Sequence, residues 1–194
     1  MNTILIWAGA LLALTLYYPL ISGISRGEIK QSFATWILWV TLDVIALVSI
    51  LYQKGNYLIL VSYCIGGSVV TLLLLIKQPF KWTWFETFVT FLVIICLIVW
   101  KLSGSKMATI ASTLAVVISG FPQFLKSWQK PDKKTGCIYL GYTLANFLSF
   151  LGGQAWTIEE RFYPGACVIL CFSIALAALR REDRKLVHVI LKCK

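Results

Sequence analysis

Residues 119–124 read SGFPQF, a proline and a glutamine inside a run otherwise apolar enough to cross a membrane. Proline removes a backbone donor and bends a helix. In lipid such a bend survives only where neighbouring helices, polar side chains or water satisfy the freed groups. The stretch therefore belongs on a face turned toward protein or a cavity. Its meaning depends on whether the chain holds a second copy.

Outward from that point the chain is strongly apolar. Of 194 residues, 59% are hydrophobic and 13% charged, and the mean hydropathy is +0.80. A soluble domain of this length cannot hide so much apolar surface, so the composition predicts a multi-spanning membrane protein in contact with membrane lipid. The net charge of +10 does not signal nucleic acid, because the basic residues sit in short loops between apolar runs and form no basic domain. The first apolar run follows MNT, which lacks Lys and Arg, and is too long for a signal-peptide core. It reads as a membrane helix. Of the six cysteines, Cys167 and Cys171 stand one turn apart. No histidine supports a metal spacing, and they read as small packing residues. Cys193 lies in a basic tail with His188, the only histidine; the tail suits the anionic leaflet or a stop-transfer cluster equally.

A bilayer core requires about 17–25 apolar residues per helix. Seven runs meet this, at about 3–25, 31–53, 55–76, 82–100, 107–126, 135–157 and 162–179. Fourteen of the eighteen Lys and Arg residues fall in loops on one side, among them Arg26, Lys30, Lys77, Lys81, Lys126 and Arg180. Lys54, Lys101, Lys106 and Arg161 fall on the other. The positive-inside rule then places the N-terminus outside or in a lumen and the C-terminus in the cytosol. The membrane is a plasma (inner) or an endolysosomal one.

A second copy of the opening feature exists. Pro19, in YYPLIS, occupies the first run about where Pro122 occupies the fifth, 103 residues later. The same offset pairs Tyr18 with Phe121, Lys30 with Lys133, Ser32 with Thr135, Trp36 with Tyr139, Trp39 with Tyr142, Asp43 with Asn146, and Lys77 with Arg180. Three helices, a linking helix and three more give two units of the same orientation, related by an axis along the membrane normal. The expected fold is thus all-α, seven spans as two parallel three-helix bundles. The units are 1–78 and 107–181, with a linker at 79–106 and a basic tail at 182–194.

Asp43 carries the sharpest chemical signal. It lies about 18 Å along its helix, near the midplane, where an ionised carboxylate costs about 2.5–3.5 kcal/mol on insertion scales. It must face the bundle interior, a water-filled cavity or a partner. Trp39 and Trp36 precede it by one and two turns on the same helix face, as Tyr142 and Tyr139 precede Asn146. The two faces, brought together, predict a pocket with an aromatic wall and a polar floor, suited to a small polar solute. Each aromatic taken singly also fits packing or interfacial anchoring, and Asp43 also fits a hydrogen bond within the helix packing. Trp82, Trp84, Trp100 and Trp156 read as belt residues, and Glu86 as a partner of Lys77 or Lys81.

Two three-helix units joined by a fourth helix, with a proline near the cytosolic end of each first helix, resemble the PQ-loop and SWEET transporter superfamily. The second unit carries Pro122-Gln123, whereas the first reads Pro19-Leu20. The resemblance implies alternating access between the bundles, with Pro19 and Pro122 as hinges at a cytosolic gate and Gln123 satisfying carbonyls freed by the bend. Sugar facilitators of this superfamily place an Asn pair on the third helix of each unit. Residues 60–72 and 165–177 contain no Asn, so a sugar is disfavoured, and an acid on the second helix resembles the proton-coupled relatives. The expected function is movement of a small polar solute (amino acid, sugar or vitamin-like), with protons coupled through Asp43. The alternative is a receptor that binds a peptide or ligand without net transport. The chain has no nucleophile–base arrangement, metal motif or phosphate loop. It reads as a non-enzyme with no cofactor and no nucleic-acid partner, and a homo-oligomer is compatible with it.

Overall fold

The computed structural model describes residues 2–29, 33–77 and 84–180. The basic tail, Lys30, Ser32, Lys81 and Trp82 lie outside these, as does the side chain of Glu86. The described chain is all-α. Its helices are α1 Asn2–Ser25, α2 Phe33–Tyr52, α3 Leu58–Lys77, α4 Trp84–Ser119, α5 Phe121–Gln129, α6 Lys133–Gly152 and α7 Ile158–Leu179. Four stretches are long and apolar enough to cross a membrane: Thr3–Ser25, Leu58–Lys77, Thr87–Gln129 and Ile158–Leu179.

In α2 the described apolar stretch is Trp36–Tyr52. α6 carries Tyr139, Tyr142, Thr143, Asn146 and Ser149, and among these Tyr142, Asn146 and Ser149 are buried. A face that meets protein need not be lipid-like.

α4 is broken at Gly104, whose φ of 79° and ψ of −177° lie in a region essentially restricted to glycine. Its two limbs run in opposite senses along α2. Trp100 of the first limb meets Tyr52, with ring centroids 6.3 Å apart. On the second limb, Thr109 accepts a hydrogen bond from Gln53 at 2.8 Å, and Ser119 accepts one from Trp39 near the other end of α2. The predicted break between the fourth and fifth runs is therefore a tight reversal around one glycine. α4 passes into α5 at Gly120, which keeps helical φ and ψ of −77° and −15°, and Pro122 falls in the first turn of α5, where a missing N–H costs least. Pro19, by contrast, sits inside an unbroken α1.

α3 packs against both α1 and α2; α7 packs against α6, α4 and α5. Between these groups α1 lies on α6 and α2 on α4. One core cluster joins residues of α1, α2, α3, α6 and α7, including Ala13, Ile50, Leu60, Ala145 and Tyr163. Helix approach is close where glycines allow it: a Cβ on Gly9 would meet the backbone of Ala145, and one on Gly66 would meet the Tyr17 ring.

α6 begins on a well-formed cap. The Asp132 carboxylate accepts from Lys134 N, Thr135 N and the Thr135 hydroxyl. Partial burial pushes its pKa up, but these donors together outweigh it and hold the carboxyl below its ordinary value.

Gly104→Ala is expected to destabilise the fold by about 1–3 kcal/mol, the usual cost of a non-glycine residue in this backbone region. Denaturant unfolding in detergent would measure it; an unchanged midpoint would contradict the reversal.

Candidate functional site

The helix packing brings Trp36, Trp39 and Asp43 from α2 to face Tyr139 and Tyr142 from α6 across a small chamber. Its volume is about 80 Å³, room for two or three waters. A larger groove of about 580 Å³ lies beside Pro19, between α1 and the start of α6. That groove includes the exposed Tyr18 and Cys137 and lacks a buried polar group. The chamber, which has several, is the better candidate.

Asp43 lines the chamber and is buried. Its Oδ1 accepts a hydrogen bond from Tyr163 Oη at 2.7 Å, and Tyr163 comes from α7. Asn146 is fully buried and stands just behind the wall. Its Nδ2 donates to Tyr63 Oη on α3 and to its own helix at Tyr142 O. The two predicted polar residues therefore do not touch. Each reaches instead a tyrosine on the third helix of the opposite sequence unit, and those two tyrosine rings lie 6.3 Å apart. Asn146 Oδ1 is buried without a hydrogen-bond partner, which costs about 1–3 kcal/mol, while the Tyr142 hydroxyl lies close to Tyr17.

The predicted aromatic wall forms as a connected set. Trp39 meets Trp36 at 5.5 Å, Trp36 meets Tyr17 at 6.4 Å, Tyr17 meets Tyr142 at 5.7 Å, and Tyr142 meets Tyr139 at 6.0 Å, all edge to face. This is the arrangement favoured by ring quadrupoles. Tyr17, Tyr63 and Tyr163 were not among the residues singled out from the sequence. The repeat comparison used Tyr18, which is exposed, whereas Tyr17 is the buried member of the pair. Tyr63 and Tyr163 escape a gap-free offset of 103, but an offset of 100 pairs them. Allowing one helical turn of slippage in the third helix would have found them.

The predicted gate residues cluster at one end. Gln123 donates to Ser127 Oγ at 3.4 Å, one turn further along α5. It thus braces its own helix, and this bond reaches no carbonyl freed by Pro122. Beside it, Lys134 pairs with Glu28 of the α1–α2 loop, joining the two sequence units. That bond, followed by the charge of Lys134, holds the Glu28 carboxyl below its ordinary value. At the same end Lys77 Nζ donates to Ser25 O, and Arg180 donates to Trp128 O while stacking on its ring. At the far end Asn56 Nδ2 donates to Ser149 O and Oγ, both at 3.0 Å. Arg161 there holds the carbonyls of Phe150, Gly153 and Ala155 and covers Trp156.

Comparison of the chain with family models, curated proteins and solved structures finds no match.

Tyr163→Phe is expected to lower stability by about 1.5–3 kcal/mol, because it strips the hydrogen bond from a buried carboxylate. Tyr63→Phe should cost less, since Asn146 keeps its bond to Tyr142 O. Paired denaturation curves check the order, and equal costs would contradict this account of the site.

Proposed function

We propose that the chain is a membrane transporter that moves a small polar solute, amino-acid, sugar or vitamin-like in size, by alternating access between two three-helix bundles, with Asp43 carrying a coupling proton. The observation that carries this reading is the buried Asp43 carboxylate, bonded across to α7 in a chamber that also draws on α1, α3 and α6.

The packing pattern supports the 3+1+3 arrangement. α3 lies against α1 and α2, just as α7 lies against α6 and the α4–α5 stretch. With the first limb of α4 as linker, residues 1–78 and 107–181 act as the two moving bodies. This is the layout of the PQ-loop and SWEET superfamily, to which we assign the chain on that ground. The N-terminus is outside or lumenal and the C-terminus cytosolic, in keeping with the positive-inside bias.

The chamber's size supports movement. Small-molecule sites usually enclose about 300–1,000 Å³, well above the 80 Å³ seen here, so admitting a solute requires the bundles to part. The groups facing Asp43 support proton carriage. The titratable groups that line the chamber with it are Tyr163, Cys167 and Cys171 of α7, Tyr17 of α1, Tyr63 of α3, and Tyr139 and Tyr142 of α6, none of which is a cation. A charge on Asp43 has to be balanced by something that enters, either a proton or a cationic group of the solute.

The test is reconstitution into proteoliposomes, with a labelled solute chosen by thermal-shift screening of sugars, amino acids and vitamins. Wild-type uptake should respond to an imposed pH gradient, and Asp43→Asn should abolish that response. Uptake by the variant with an unaltered pH profile would remove the proton role. Saturable binding with no uptake under any gradient would replace the transporter by a receptor.

A further inference from the structure

We infer that the solute is a small organic monocation lacking a carboxylate, an ammonium compound held by Asp43 and the rings of Trp36, Trp39, Tyr139 and Tyr142. The binding claim stands on the chamber's chemistry, and only the claim of net movement rests on the transporter reading above.

Three observations converge on this class. First, the lining supplies one carboxylate and, among the described residues, no Lys, Arg or His. A solute bearing its own carboxylate would bury that charge without a partner, which is strongly unfavourable. Zwitterionic and cationic amino acids are both disfavoured on that count, whereas a monocation makes the chamber neutral. Second, the walls are built from aromatic rings of five helices, with Tyr17, Tyr63 and Tyr163 completing the set. Ring faces attract cations, Trp most strongly, with about 0.5–2 kcal/mol for each contact once water is excluded. Third, the Tyr142 hydroxyl lines the chamber and can accept from an N–H or O–H on the solute.

This composition also explains how a proton and a solute share one residue. Each neutralises the same carboxylate, so the two compete, and the Tyr163 hydroxyl can keep donating to Asp43 in either case.

The test uses the purified full-length chain in detergent, with tryptophan fluorescence and thermal shift as readouts. The probes are choline, its uncharged carbon isostere dimethylbutanol, and betaine, which adds a carboxylate to the same trimethylammonium head. Choline should bind at least about tenfold more tightly than either of the others, a difference of about 1.4 kcal/mol. Asp43→Asn should erase the preference for choline over dimethylbutanol. Trp39→Phe, a milder change, should keep the fold and weaken choline several-fold while leaving dimethylbutanol unaffected. Equal binding of betaine or dimethylbutanol, no response to choline, or an undiminished charge preference in Asp43→Asn would each overturn the inference. Counterflow in proteoliposomes separates the two claims. Exchange of labelled glucose or lysine without choline would uphold transport and overturn the ammonium class. Choline binding without counterflow of any solute would uphold the class and overturn transport.

Discussion

A carboxylate buried in the middle of an apolar helix forces the rest of the structure to organise around it. Among the described residues, Asp43 has no basic partner. Its described hydrogen bond comes from Tyr163, a residue 120 positions away on α7. That bond can exist only if α2 and α7 meet, so the polar requirement of one residue helps to specify how distant parts of the chain pack. Asn146 repeats the device with Tyr63. Two polar residues on second helices thus each reach the third helix of the opposite unit, and the polar groups staple the units crosswise. Buried polar groups of this kind specify an arrangement more than they stabilise it, since desolvation offsets much of what each bond contributes.

The two ends of the chamber are closed by different chemistry, which gives the ends different compliance. At the end near Pro122, one described bond between units is the Glu28–Lys134 pair, whose side chains are 40% and 65% exposed. Exposed pairs contribute little, about 0–1 kcal/mol, and salt screens them. At the other end, Asn56 is buried against Ser149, and parting them leaves polar groups in an apolar setting. At the same end as that pair, Trp39 links the chamber wall to Ser119, three residues before Pro122, where the helix lacks a backbone donor. A shift at Pro122 would pass directly to an aromatic ring of the chamber.

Much of this was legible in the sequence, for identifiable reasons. Hydropathy located the helices because lipid demands it of whole segments, and α1, α3 and α7 end within a few residues of expectation. The pairing of Trp36, Trp39 and Asp43 with Tyr139, Tyr142 and Asn146 was legible because helical spacing fixes which side chains share a face. What was not legible depends on rotation and register. Tyr17 and Tyr18 are adjacent and chemically identical, and only the rotation of α1 decides that Tyr17 is buried at 6% exposure and Tyr18 exposed at 79%. Tyr63 and Tyr163 fell outside the offset of 103 taken from the prolines because α3 and α7 start 100 residues apart, at Leu58 and Ile158, just as α2 and α6 end 100 residues apart, at Tyr52 and Gly152. The sixth run was expected to reach residue 157, but α6 ends at Gly152, and the polar turn beyond it is gathered by Arg161.

The polarity of α6 bears on what the chamber is for. A helix whose only task is to span lipid has no need of Tyr139, Tyr142, Asn146 and Ser149 on a protein-facing stripe, and each buried polar atom on it carries a desolvation cost. Some of that cost is recovered: Ser149 accepts from Asn56, and Asn146 donates to Tyr63. The oxygen of Asn146 recovers nothing in this arrangement, and neither do Ser49 Oγ and Asn56 Oδ1 away from the chamber. Leu and Phe of similar volume would bury no unpaired atom, so the polar stripe of α6 costs stability that packing alone does not require. The same argument does not extend to Cys167 and Cys171 at the chamber edge, since a thiol bonds weakly and packs there as a small apolar group would.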